Sequence, residues 1–237
     1  KRQKKLDIRV IVGNPPYSVG QTSANDNNQN VAYPTLDSRI RTTYADRSTA
    51  TNKNTLYNSY IRAIRWASDR IGKSGVIGFV SGSGFVEKPA MDGMRKCLVE
   101  EFSNIHVLNL RGDIRKNMLS KGRAGEGGNI FDSGSMTGIA VTLFVKNPTA
   151  KHHGQIFYHD IGDNLSSDEK KCKLQDYASI TGVTTTNGWQ SILPDEHGDW
   201  LQLRDVSFGQ FIVLGDKKGG REKVFDNFSN GLKTQRD

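Results

Sequence analysis

Short apolar runs rich in β-branched residues recur along the chain, separated by longer amphipathic or polar segments. Runs of this length predict buried strands. In residues 54–71 and 89–102 the apolar positions instead recur every three or four residues, which predicts helices. Strands alternating with helices predict an α/β fold with a doubly wound parallel sheet. The predicted strands are residues 7–12, 76–81, 104–110, 138–146 and 155–161.

Two long segments lack this periodicity. Residues 18–54 are polar, and within them a short helix is predicted at about 36–44. A segment of this length is either a functional lid or disordered, and both interpretations stay open. Residues 111–135 form a loop rich in glycine and basic residues with one prominent aromatic side chain, Phe131.

The last third of the chain has weaker patterns. A helix is predicted at about 167–178, followed by irregular sequence with many turn residues. A boundary is predicted near residues 148–154, which divides the chain into parts 1–150 and 151–237.

Composition narrows the function classes. The chain has 237 residues, a formal charge of +8 and a pI near 9.4. Such a charge favours a polyanionic partner, usually nucleic acid, although an inert basic surface is the alternative. The two cysteines, Cys97 and Cys172, have no metal-binding spacing, which favours a reducing cytoplasm. Neither a membrane-spanning run nor a signal peptide is recognisable.

The turn after the first predicted strand has the residues that most clearly suggest a functional site. The apolar run ends in Asn14-Pro15-Pro16-Tyr17. Prolines restrict the backbone and donate no N–H, so the turn is rigid and the carbonyl oxygens of Asn14 and Pro15 are free to accept. With the Asn14 amide oxygen and the Tyr17 ring, the turn could hold a flat amine. The alternative is an ordinary structural turn.

The Asn14-Pro15-Pro16-Tyr17 sequence and the order of elements after it resemble DNA adenine-N6 methyltransferases of the gamma arrangement. Within that group, the matching stretches resemble large single-chain, type ISP-like restriction–modification enzymes with a helicase-like part. The resemblance implies the C-terminal half of a Rossmann-like S-adenosylmethionine-dependent methyltransferase sheet, followed by a connection to a target-recognition domain that begins near residues 229–237. The stretches are 13–18, 56–72, 109–112 and 128–148.

The resemblance also implies roles for single residues. Asn14, Pro15, Pro16 and Tyr17 are the expected catalytic residues, with S-adenosylmethionine as methyl donor and double-stranded DNA as substrate. Tyr17 and Phe131 are expected to stack on an extruded adenine. Seven cations are expected to contact the DNA backbone: Arg39, Arg41, Arg111, Arg115, Lys116, Lys121 and Arg123.

The chain departs from the family pattern at the cofactor. The family's glycine-rich loop should precede Asn14, yet almost no sequence stands before it. Gly82 and Gly84, with Asp113 as a ribose-binding acid, could form a substitute in a permuted enzyme. The favoured interpretation is a fragment of a bacterial or archaeal polypeptide whose cofactor-binding residues lie upstream of Lys1. Their absence from the fragment would leave an open sheet edge.

Other functions stay open. Protein-glutamine and ribosomal-RNA methyltransferases use the same motif, and a non-catalytic DNA-binding remnant is a further alternative. A metal site at His152, His153, His159 and Asp160 is not expected, because a solvated hairpin explains these residues.

Overall fold

A six-stranded sheet organises the fold, in the order β1-β2-β4-β3-β5-β6. The computed structural model describes residues 6–17, 31–132, 135–216, 219–220 and 222–226. The strands are β1 (Val10–Gly13), β2 (Gly75–Gly82), β3 (Asn104–Arg111), β4 (Ile139–Lys146), β5 (Gln155–Asp160) and β6 (Gln190–Ile192).

The helices fall between the strands. A π-helical turn, Arg41–Ala45, continues the first helix, and short 3-10 turns at Asn54–Tyr57 and Pro89–Met91 precede the second and fourth. The α-helices are α1 (Pro34–Ile40), α2 (Ser59–Arg70), α3 (Gly84–Glu87), α4 (Asp92–Glu101), α5 (Ile114–Leu119), α6 (Ser167–Tyr177) and α7 (Ile180–Thr185).

Strand directions place the strand ends. β1 is parallel to β2, and β3 is parallel to β5. β4 lies between β2 and β3 and is antiparallel to both, with Phe144 opposite Ile77 on one side and Ile105 on the other. The carboxyl ends of β1, β2, β3 and β5 therefore meet at one edge, together with the start of β4. The predicted α/β fold is confirmed, but the sheet is mixed and not parallel throughout, because β4 and β6 run antiparallel to their neighbours.

One face of the sheet is closed by helices. Side chains from α1, α2 and α4 form a single buried cluster with alternate residues of the central strands. Ile77, Ile105 and Phe144 have no exposed surface there, and the Phe144 ring lies 5.2 Å from that of Phe102. Burial of this apolar surface is the main stabilising contribution to the fold.

The opposite face is only partly covered. Residues alternate across a strand, so Gly78 and Val80 of β2 point away from the helical layer. They line an apolar groove of about 390 Å³ whose far wall comes from α6 and α7. At the edge, β1 pairs with β2 and with no other strand among the described residues, and Val12 is 79% exposed.

Three local features differ from the sequence predictions. α2 begins at Ser59 and not at the predicted residue 54, because a 3-10 turn occupies Asn54–Tyr57, and the Asn58 side chain caps the helix. The loop 111–135 contains α5, which Asp113 caps. β5 and β6 continue the sheet past the boundary predicted near 148–154, so the compact unit extends to Gln202.

The second unit, Leu203–Asp237, has little regular structure among its described residues. It contains a 3-10 helix at Val206–Gln210 and a bridge between Val213 and Lys223. In the described part of the chain, no helix has the length and apolar character needed to cross a membrane.

Three of the sequence predictions concern segments outside the described residues, which begin at Leu6. They are the cofactor-binding residues expected upstream of Lys1, residues 18–30 of the predicted lid, and the entrance to a recognition domain at 229–237. All three stay predictions.

Candidate active site at the carboxyl edge of the sheet

The predicted catalytic corner lies at the carboxyl end of β1. Asn14 and Pro16 are exposed, whereas Pro15 and Tyr17 are half-buried. The Tyr17 hydroxyl donates a hydrogen bond of 2.6 Å to Asn14 Oδ1 and lies 3.5 Å from the Val80 carbonyl oxygen. The side-chain oxygen of Asn14, an exposed residue, is therefore a hydrogen-bond acceptor, and in this structure it accepts from the Tyr17 hydroxyl.

A second tyrosine, Tyr60, packs against the Tyr17 ring. The Tyr17 ring meets the buried Tyr60 ring of α2 edge-on, with centroids 6.4 Å apart. Burial raises the pKa of Tyr17, so its hydroxyl stays protonated and remains a donor at neutral pH. The corner is thus attached to the helical layer through one aromatic contact.

A shallow groove borders the same corner. It has a volume of about 640 Å³ and lies between Pro15–Pro16 and the first turns of α1 and α2. The Arg62 guanidinium lies over the Tyr33 ring at 5.8 Å and pairs with Asp37 at 2.7 Å. The groove is therefore mainly apolar, with its nearby cation already neutralised.

The two candidate cofactor glycines lie in packed surroundings. A Cβ at Gly82 would approach the Tyr60 ring to 3.3 Å, and one at Gly84 would approach the Lys88 side chain to 3.0 Å. Asp113 accepts from a backbone N–H at 3.0 Å, as the cap of α5. A larger residue at either glycine would therefore crowd its neighbours, and the role of Gly82, Gly84 and Asp113 at a cofactor stays a prediction.

Phe131 lies at this edge and is 42% exposed, while its neighbours Asn129 and Ile130 are buried. Asn129 Nδ2 donates to the carbonyl oxygens of Gly112 and Thr137, which lie just after β3 and just before β4. From the sequence, Asn129 was assigned no role. The available signal was a lone amide between a glycine run and an apolar–aromatic pair.

The seven predicted backbone contacts fall into two groups. Three cations pair with carboxylates: Arg39 with Asp69, Arg111 with Asp160 and Asp163, and Lys116 with Glu87 and Glu126. The other four are exposed and have no carboxylate partner among the described residues; they are Arg41, Arg115, Lys121 and Arg123.

The histidines that could have suggested a metal are not arranged as ligands. His159 Nδ1 lies 2.7 Å from the Gly188 carbonyl oxygen, and Nε2 lies 2.9 Å from the Tyr177 hydroxyl. Both ring nitrogens are therefore engaged. Among the described residues, no group of three histidine, cysteine, aspartate or glutamate side chains has the proximity that a metal site requires.

Together, the sheet order and the corner after β1 define a partial methyltransferase fold. No family model matches the chain, and no curated protein matches it. Solved structures do: the ATP-dependent type ISP restriction–modification enzyme LlaBIII bound to DNA is 46% identical over 98% of this chain, with a TM-score of 0.86. The chain is thus structurally similar to a segment of type ISP restriction–modification enzymes, which confirms the resemblance inferred from the sequence.

Two further solved structures are also similar to this chain. A nuclease-deletion mutant of the type ISP enzyme LlaGI, in complex with a DNA substrate mimic, is 41% identical over 95% of this chain, with a TM-score of 0.80. A DrdV–DNA complex is 33% identical over 94%, with a TM-score of 0.74. This chain covers only 15%, 21% and 22% of the LlaBIII, LlaGI and DrdV chains.

Proposed function

We propose that this chain is the base-binding part of a DNA methyltransferase within a restriction–modification enzyme, and that it acts on N6 of an adenine extruded from duplex DNA. The observation that carries the proposal is the exposed Asn14 Oδ1, which accepts a hydrogen bond at the carboxyl edge of the sheet. Ligands of open α/β sheets bind at this edge.

The chemistry follows from the donors of an exocyclic amine. An adenine N6 group has two N–H donors, and the corner offers two acceptors, Asn14 Oδ1 and the Pro15 carbonyl. Accepting both hydrogens orients the nitrogen lone pair toward an incoming methyl group and stabilises the positive charge that develops on nitrogen. The Tyr17 hydroxyl that now donates to Asn14 would give way to the amine, and its ring would stack on the base.

The adenine must leave the duplex before it can reach this corner, because its amine is paired and stacked inside the helix. Phe131, exposed at the same edge, would pack near the other face of the base. Stacking on an aromatic side chain stabilises an extruded base by about 1–3 kcal/mol. Arg41, Arg115, Lys121 and Arg123 would contact phosphates, which orients DNA without reading sequence.

S-adenosylmethionine would supply the electrophilic methyl group: the bond between the methyl carbon and sulfur would break as the carbon–N6 bond forms, the neutral thioether S-adenosylhomocysteine would leave, and N6 would lose one proton to water. We place the cofactor-binding loop outside the described residues, and Gly82 and Gly84 stay the alternative candidates. β1 has only β2 as a partner among the described strands, and the matched structures are much longer than this chain; both observations support a cofactor half elsewhere in the parent polypeptide. We place that polypeptide in the cytoplasm of a bacterium or archaeon, where Cys97 and Cys172 stay reduced.

The test is replacement of Asn14 in the parent enzyme. Asn14→Ala removes a preorganised acceptor and should lower N6-methyladenine formation about 100- to 1000-fold. Asn14→Asp keeps an acceptor oxygen and should retain measurable activity. The matched control is Asn104→Ala, since Asn104 starts β3 at the opposite edge and its side chain contacts only Gln155 in the described structure.

Mass spectrometry of nucleosides from DNA treated with each purified variant gives the rate. Duplex DNA, ribosomal RNA and a cell protein fraction are offered in parallel with labelled S-adenosylmethionine. Label transfer to RNA or protein with none to DNA would favour the rival methyltransferases. Wild-type rates in Asn14→Ala would contradict the proposed chemistry itself.

A further inference from the structure

We infer that Asn129 is a positioning residue: it fixes Phe131 at the edge of the sheet so that the ring can support the extruded base. The inference rests on the proposed function and extends it to a residue that cannot itself touch DNA. Asn129 is only 2% exposed, so any effect it has on the base passes through its neighbours.

The Asn129 side chain bonds with both of its polar atoms. Nδ2 donates to Gly112 O at 3.0 Å and to Thr137 O at 2.9 Å, and Oδ1 accepts from the Phe131 backbone N–H at 3.0 Å. The opposite amide orientation would set oxygen against two carbonyl oxygens, so only this one satisfies the site. One buried side chain therefore joins the end of β3, the start of β4 and the backbone of Phe131.

These bonds fix the direction in which the Cα–Cβ bond of Phe131 leaves the backbone. The Asp132 N–H donates to the Asn129 carbonyl oxygen at 3.0 Å, so the amides on both sides of the Phe131 Cα are bonded to Asn129. The backbone rotations at Phe131 are constrained as a result, while its ring remains 42% exposed.

The other side of the loop is held independently. The buried Lys170 ammonium of α6 donates to the carbonyl oxygens of Glu126 and Gly128, at 2.9 and 2.6 Å, and the Gly128 N–H donates to Leu165 O. Burial lowers the pKa of Lys170, and these two carbonyl oxygens are its hydrogen-bond acceptors. α6 also reaches past Asn129, since Ser167 Oγ donates to Ile130 O at 3.2 Å and Lys171 Nζ lies 3.4 Å from Asp132 Oδ2. The Ile130 side chain shares a buried apolar cluster with Leu110 of β3 and Ile139 of β4. Among the described residues, the Asn129 side chain supplies the hydrogen bonds that link the Phe131 backbone to the strand-end carbonyl oxygens.

Close backbone approach makes the connection tight. Gly112 has a φ of +85°, and a Cβ there would come within 2.9 Å of the Asn129 Cα. Glycine is required on both counts. Loss of the Asn129 amide would leave the two strand-end carbonyl oxygens without this donor and would release the Phe131 backbone. A ring held within a fraction of an ångström stacks on a base better than one on a loose loop.

The experiment uses the full-length enzyme and a duplex with 2-aminopurine in place of the methylated adenine, after that adenine has been mapped in host DNA. The fluorescence of 2-aminopurine rises when the base leaves the stack, so it reports extrusion without any methyl transfer. We compare the wild type with Asn129→Ala, Phe131→Ala and the double variant, and measure the melting temperature of each.

Phe131→Ala should reduce the extruded fraction about tenfold relative to the stacked state, as loss of one stacking contact implies. Asn129→Ala should produce most of that loss, and the double variant should resemble Phe131→Ala alone, because coupled residues are not additive. Losses that multiply in the double variant, or unchanged extrusion in Asn129→Ala, would overturn the inference.

Two further variants separate positioning from general damage. Asn109→Ala removes an amide of the same edge that bonds Tyr158 and the Arg111 backbone, and it should leave extrusion unchanged. Asn129→Ser keeps a local acceptor for the Phe131 N–H but loses both long-range donors, so it should not restore extrusion. Restoration by serine, or an equal loss in Asn109→Ala, would contradict the positioning role.

The failure of the proposed function is distinguishable from failure of this inference. If the wild-type enzyme neither methylates DNA nor extrudes 2-aminopurine, the proposed function fails. If the wild type extrudes the base, Phe131→Ala weakens extrusion and Asn129→Ala does not, only the inference fails. If Asn129→Ala does not fold, the milder Asn129→Ser decides.

Discussion

The helix-covered face of the sheet and its carboxyl edge are stabilised in different ways. The covered face is apolar and closed, with Ile77 and Phe144 fully buried between sheet and helices. The carboxyl edge is built from backbone carbonyls, buried amides and ion pairs, and it leaves Asn14 and Phe131 at the surface. Apolar burial is therefore concentrated in the first region, and the exposed groups of the proposed site lie in the second.

The difference has a physical cause. Apolar burial stabilises without regard to direction, so it can hold a sheet together but cannot aim a functional group. Hydrogen bonds are directional and individually contribute little, about 0.5–1.5 kcal/mol, but they fix the positions of atoms. Changes to the covered face should thus alter stability before activity, and changes to the carboxyl edge should do the reverse.

The largest effect on stability is expected at the centre of the covered face. Phe144→Ala leaves a cavity beside Phe102 and Phe85 and should cost about 3–5 kcal/mol. Hydrogen exchange at the amides of β4 in the parent enzyme measures the local opening free energy. Leu119→Ala, which truncates an 88% exposed side chain, is the control and should change it little. If both variants lowered the opening free energy equally, the covered face would not be the main source of stability.

The buried ion pair between Arg95 and Asp199 should rank next. Arg95 is fully buried and also donates to the carbonyl oxygens of Gly198, Phe85 and Lys88. Asp199→Ala leaves that charge without its carboxylate and should cost about 3 kcal/mol. The double variant Arg95→Met, Asp199→Ala should cost less than the sum of the single changes, as thermal unfolding of all three would show. Additive costs would mean that the pair is not coupled.

Phe131→Ala should separate the two regions most clearly. Its ring is exposed, so the melting temperature of the enzyme should be nearly unchanged, while methylation of duplex DNA falls. The loss should shrink when the target adenine faces an abasic site, since less unstacking energy must then be recovered. A core residue would instead cost about 3–5 kcal/mol and lose activity equally on both substrates.

The smallest effects are expected from single surface cations. Replacing Arg115, Lys121 or Arg123 with glutamine should weaken DNA binding uniformly across sequences and lower the slope of log affinity against log salt by about one each. Arg39→Gln is the matched control, because both of its contacts are to Asp69 at 2.9–3.0 Å. Binding isotherms at several salt concentrations measure the slope. If Arg39→Gln lowered the slope equally, cations that pair with carboxylates would also contact DNA phosphates, and the distinction between the two groups would be wrong.

The sequence by itself determined the order of elements and the place of the corner. β-branched runs such as Val10–Val12 have a period and length that favour strands, and Pro15–Pro16 ends the first of them for local steric reasons. The predicted strands at 76–81, 104–110, 138–146 and 155–161 are present within one or two residues of their bounds. Local signals suffice where the determining contacts are themselves local.

The tertiary structure alone decided which polar groups are free. Seven cations have similar sequence surroundings, yet Arg39, Arg111 and Lys116 meet carboxylates from distant segments while Arg115 does not. The second helix starts at Ser59 and not at residue 54, because a 3-10 turn that the sequence did not predict occupies Asn54–Tyr57. The Asn129 amide donates to carbonyl oxygens 8 and 17 residues away. Contacts across such separations depend on how distant segments pack together, and the local periodicity of the sequence contains no information about them.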